Sequence, residues 1–133
     1  MPMAGVITQQ VRPGHPAIDI ACLPGTPVHA AHDGQGRSYW DPNLGLTFVL
    51  EDGRGLQTLY AHLNQASPAG AYTRGSVIGA CGNTGRLTTG PHLHFGSNQP
   101  TRLLTLLERD DIQVVPAPAP IATRPIAGEP ASF

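Results

Sequence analysis

Three short stretches hold the residues able to do chemistry together. They are "GHPAIDI" with His15 and Asp19, "LQTLYAHL" with His62, and "GPHLHFG" with His92 and His94. Imidazole and carboxylate are what a catalytic zinc takes as ligands, three of them, with the fourth position kept for water. Such a centre lowers the pKa of its water towards neutrality, and a nearby free imidazole can relay the proton. Four His and one Asp would supply three ligands and two groups for proton transfer, provided one surface gathers them. Spacing alone does not assign the jobs. Each motif also has a plainer reading: an H-x-H pair can be the solvent-facing row of a strand, and His15 or His62 alone can be an exposed side chain. His29 and His32, in "TPVHAAHDG", fall beside a turn and are read as structural.

The elements that must position these residues are mostly strands. In a strand, side chains at i and i+2 share a face. His92 and His94 then point together, while Leu93 and Phe95 face a core. In "GHPAIDI", Pro16 and the β-branched Ile18 and Ile20 disfavour a helix. An extended chain there sends Ile18 and Ile20 inward and Asp19 to the opposite face. In "LQTLYAHL", simple alternation makes Leu59, Ala61 and Leu63 the apolar row and puts Thr58, Tyr60 and His62 on a polar face. Residues 28–40 read as two short strands around "HDGQG". The runs 46–51 and 56–63 flank "DGRG" as a hairpin, and 76–81 is a further strand. Only "PTRLLTLLERD", residues 100–110, reads as a helix, with Pro100 suited to its first turn.

The expected fold is therefore mainly β, a small antiparallel sheet domain over residues 1–115 with one short C-terminal helix. Residues 116–133 hold five prolines in 18 positions and read as an extended Pro-rich tail. A high share of Gly and Pro, 30 of 133 residues, agrees with short strands and tight turns. Charged residues make up only 13% with a net charge of −1, which argues against nucleic acid as a partner. No run of 18 apolar residues suggests a membrane span. "MPMAGVITQQVRPG" lacks the pattern of a secretory signal, so synthesis in the cytoplasm is expected. Cys22 and Cys81 could form at most one disulfide; their strand-end settings favour free buried thiols.

Taken in order, "HPAID", "GTPVHAAHDG", "YAHL", "GSVIGACGNTG" and "TGPHLHF" resemble the lysostaphin-like (LytM-type) zinc metallopeptidases, endopeptidases of peptidoglycan. The resemblance spans nearly all of residues 15–96. It implies a domain of the duplicated hybrid motif type holding one zinc ion. By position it makes His15, Asp19 and His94 the metal ligands and His62 and His92 the catalytic pair. The implied substrate is the peptide portion of bacterial peptidoglycan, attacked by water activated on zinc. One departure stands inside the motifs: the family usually has Gly where this chain has Ala17, which matters if that position needs φ > 0 or close backbone approach. Only 14 residues precede His15, so an open groove is expected in place of a latent enzyme. The bare domain and lack of a leader suggest a phage protein, a lysin or a wall-degrading virion component. Its Pro-rich tail would meet a virion or tail protein. The rival is a structural or scaffolding virion protein that keeps the fold and does no chemistry.

Overall fold

A computed structural model describes residues 2–3, 5–9, 17–102, 106 and 112–114. The strands are β1 (Gly5–Gln9), β2 (Ala17–Ala21), β3 (Pro27–His29), β4 (Gly34–Asp41) and β5 (Gly45–Glu51), then β6 (Gln57–Ala66), β7 (Gly70–Tyr72), β8 (Val77–Cys81), β9 (His92–Ser97) and β10 (Ile112–Val114). They form one sheet in the order β10-β1-β2-β9-β6-β5-β4-β7, with β8 also on β6 and β3 on β8. Among the described residues every pairing is antiparallel except that of β1 with β10. The mainly β, antiparallel expectation holds. Of the expected helix, Pro100–Arg102 forms a single 3-10 turn; most of the remaining stretch, like the Pro-rich tail, lies outside the described residues. Among the described residues no helix is long and apolar enough to cross a membrane.

The main core fills one side of the sheet. Ile18 and Ile20 of β2, Phe48 and Leu50 of β5, Tyr60 of β6, and Leu93 and Phe95 of β9 meet Val28 and Ile78 from the β3–β8 pair. Phe48 sits edge-on to Tyr60 at 6.3 Å and to Tyr72 at 5.6 Å, arrangements that suit the aromatic quadrupole. The buried Tyr60 hydroxyl accepts the Ala31 N–H at 3.1 Å and bonds Thr58 Oγ1 at 2.9 Å. Burial pushes that phenol up to about 12. His32 completes the chain, its Nε2 2.8 Å from Thr58 Oγ1, and His29 Nδ1 donates to the Gly75 carbonyl at 2.9 Å. Both histidines thus have structural work, as the sequence suggests.

The cysteines do not follow expectation. Cys22 and Cys81 form a disulfide, with Cα atoms 6.6 Å apart and a sequence separation of 59. Cys22 follows the end of β2 and Cys81 closes β8. Backbone bonds from Gly25 N to Cys81 O and from Cys81 N to Thr26 O, each 2.8 Å, bring the two ends together. A strand-end setting says nothing of which other strand end lies beside it, and that adjacency decides the bond.

β6 also departs from simple alternation. Leu46 stands opposite Leu63 and Phe48 opposite Tyr60, so Ala61 and His62 together face Thr47. This is a β-bulge, and its extra residue reverses the sides that follow. Leu59 and Ala61 pack in a second cluster with Leu44 and Val49, while Tyr60 and Leu63 both join the main core. The single apolar row of Leu59, Ala61 and Leu63 is therefore split. His62 has φ +62°, the left-handed region, and is the one described non-Gly residue there. Beside it β6 also changes neighbours, pairing with β9 through Ala61 and with β8 from Leu63.

Candidate active site

Three adjacent strands lay out the site by register. Asp19 on β2 pairs with His94 on β9, and His94 pairs with Ala61 on β6. Cross-strand partners share a face, so Asp19 and His94 stand on the side away from the main core, and His92, two residues earlier, joins them. The alternation read from "AIDI" and "HLHF" is thus observed. Ala17 opens β2 opposite Gly96, fully buried and outside the left-handed region. Its methyl group occupies ordinary extended backbone, so the departure from Gly is accommodated.

His62 reaches the group through the bulge. Its ring centroid is 4.7 Å from that of His92 and 6.0 Å from that of His94. Asp19 Oδ1 is 3.3 Å from His94 Nδ1 and 3.8 Å from His92 Nε2. Asp19, His62 and His94 are all buried, whereas the His92 side chain is 14% exposed. The plainer of the two readings of His62, an exposed side chain, therefore fails: at 1% exposure the ring is inside the protein. Burial, then the neighbouring His92, holds its pKa down to about 3, so it is neutral at neutral pH.

Two backbone carbonyls set the proton positions. His62 Nδ1 lies 2.7 Å from Thr84 O, and His92 Nδ1 lies 2.8 Å from Gly90 O. A carbonyl only accepts, so each ring carries its proton on Nδ1, and in the neutral form Nε2 holds the lone pair. Thr84 and Gly90 are contributors that sequence reasoning missed; main-chain carbonyls leave no side-chain signal, and only the Gly-rich stretch from 82 to 90 hinted at a loop folded close to the site.

Of the expected metal ligands, the structure brings Asp19 and His94 together, and His15 lies outside the described residues. Among the described residues no three His, Cys, Asp or Glu side chains form a metal-holding group. The two that are described fit zinc. Donors about 2.0–2.1 Å from a tetrahedral zinc are roughly 3.3–3.4 Å apart, and Asp19 Oδ1 and His94 Nδ1 are separated by 3.3 Å.

Comparison with known proteins places the chain in a family. Residues 13–104 match the family model described as Peptidase family M23. The DD-carboxypeptidase/endopeptidase Mpg of Neisseria meningitidis serogroup B is 44% identical over 86 residues, covering 61% of this chain and 19% of that protein. The peptidoglycan DD-endopeptidase ShyA of Vibrio cholerae is 38% identical over 94 residues, 67% of this chain and 21% of its own length. The chain thus spans about a fifth of these curated relatives. A zinc-containing peptidase from Vibrio cholerae superposes with TM-score 0.64 at 31% identity, over 68% of this chain and 32% of that one. The catalytic domain of lysostaphin from Staphylococcus simulans does so with TM-score 0.61 at 26% identity, over 77% and 89%.

Proposed function

The chain belongs to peptidase family M23, and from that footing we propose that it is a zinc-dependent endopeptidase cutting peptide bonds in the stems or cross-bridges of bacterial peptidoglycan. One observation carries the reading: a carboxylate and an imidazole at zinc-ligand separation lie beside two further imidazoles whose Nδ1 protons are fixed on carbonyls. His15, Asp19 and His94 would hold the ion. Bound there, zinc supplies Lewis acidity towards water and the scissile carbonyl.

The chain's own groups divide the remaining work. His92 is the more exposed of the two imidazoles not assigned to the metal, and its Nε2 lies 3.8 Å from the Asp19 carboxylate. It would take a proton at Nε2, hold it beside that negative charge, and pass it to the departing amine. The Gly90 carbonyl keeps the ring oriented throughout. His62, buried and neutral, offers its Nε2 lone pair as a hydrogen-bond acceptor that aligns water without removing its proton. The Cys22–Cys81 disulfide suits an enzyme acting in an oxidising setting, which is where peptidoglycan lies.

Zinc content and clearing of purified sacculi test the proposal together. Wild-type protein should bind one zinc and clear the suspension. His94→Ala should lose zinc and activity, whereas His92→Ala should keep zinc and lose activity. If zinc-loaded protein leaves sacculi intact, and His62→Ala and His92→Ala change nothing, the domain is a scaffold with the peptidase fold.

A further inference from the structure

The loop after β8 places Thr84 against both sides of the His62 bulge. Its carbonyl accepts the His62 Nδ1 proton at 2.7 Å. Its hydroxyl donates to Leu63 O at 2.6 Å and accepts from Leu46 N at 3.1 Å. Leu46 and Leu63 are the cross-strand pair immediately beyond the bulge. The hydroxyl therefore stands between β5 and β6 where the extra residue interrupts their ladder, and satisfies a main-chain donor and an acceptor there.

The surrounding loop leaves Thr84 little freedom. A Cβ on Gly45, which has φ +73°, would come within 2.3 Å of Thr84 Oγ1. A Cβ on Gly85, at φ +93°, would meet Asn43 O and Gly45 N at 2.5 Å. Backbone bonds of 3.0 Å from Arg86 N to Pro42 O and from Leu87 N to Asn43 O clamp the same loop to residues 42–43. Glycines thus let two loops close on each other with the threonine wedged between them.

We propose that Thr84 is a positioning residue for hydrolysis. Its hydroxyl locks the loop onto the bulge, and its carbonyl thereby fixes His62 as the Nδ1–H tautomer with Nε2 as acceptor. The reading of His62 as a catalytic group, on which this rests, comes from the peptidase proposal above. A hydroxyl bonded to two strands acts through geometry, so its loss should slow turnover without weakening substrate or metal binding.

The test compares zinc-loaded Thr84→Val and Thr84→Ser on a soluble muropeptide. Thr84→Val keeps the side chain's shape without the hydroxyl; its kcat should fall about 10- to 100-fold, with KM within about twofold and zinc content unchanged. Thr84→Ser keeps both hydrogen bonds and should stay within about threefold of wild type. Wild-type turnover in Thr84→Val, or an equal loss in both variants, overturns the proposal. In nitrogen-15 NMR of the zinc-loaded wild type, His62 should carry its proton on Nδ1, and a proton on Nε2 instead overturns it. This last measurement decides the matter even if Thr84→Val does not fold. It also separates failure of this inference from failure of the peptidase reading, which shows itself as a wild type that releases no products.

Discussion

The His62 backbone makes a prediction that runs against the usual effect of glycine. His62 has φ +62° within a bulge. A residue with a Cβ is destabilised in that region by roughly 1–2 kcal/mol relative to glycine. Glycine gives back roughly 0.5–1 kcal/mol through its greater freedom in the unfolded chain. His62→Ala and His62→Gly remove the same ring and differ only by the methyl group. The glycine variant should therefore be the more stable, by about 0.5–1 kcal/mol or roughly 2–4 °C in melting temperature. In an ordinary strand the order would be reversed. Urea unfolding of the two variants, with matching slopes, measures the difference directly. Equal stability, or a more stable alanine variant, would mean that His62 does not occupy the left-handed bulge and would remove the account of how its ring reaches His92. Neither variant should hydrolyse peptidoglycan.

Other consequences follow from the core. The disulfide closes a loop 59 positions long, so replacing both Cys22 and Cys81 by Ala should lower stability by about 4 kcal/mol in the loop-entropy account; an unchanged urea midpoint would mean the thiols are not bonded. Tyr60 should contribute to alkaline stability. Its phenol stays neutral in the folded state up to about pH 12, whereas in the unfolded chain it ionises near 10. The associated stability is intact below pH 10 and is lost as pH rises towards 12, amounting to about 3 kcal/mol. Tyr60→Phe should flatten the stability profile over that window, and an unchanged alkaline slope would refute the assignment.

What could be read from sequence followed the period of two. In "AIDI" and "HLHF" Ile18, Ile20, Leu93 and Phe95 lie in the core and Asp19, His92 and His94 lie on the opposite face, because β2 and β9 pair without a register shift. β6 is different. One extra residue reverses its sides, and a histidine in left-handed backbone carries none of the signal a glycine would. The paired cysteines and the carbonyls of Thr84 and Gly90 were hidden for a related reason. Each depends on which distant segments the topology brings together, and neither a strand-end cysteine nor a main-chain oxygen states its neighbour in advance.

Mass spectrometry of fragments released from purified sacculi tests the central claim most directly. Zinc-loaded wild-type protein should yield shortened or uncrosslinked stem peptides with new free amino groups, and His92→Ala should yield none despite binding zinc. Intact sacculi, or fragments with new glycan reducing ends and unbroken peptides, would contradict it.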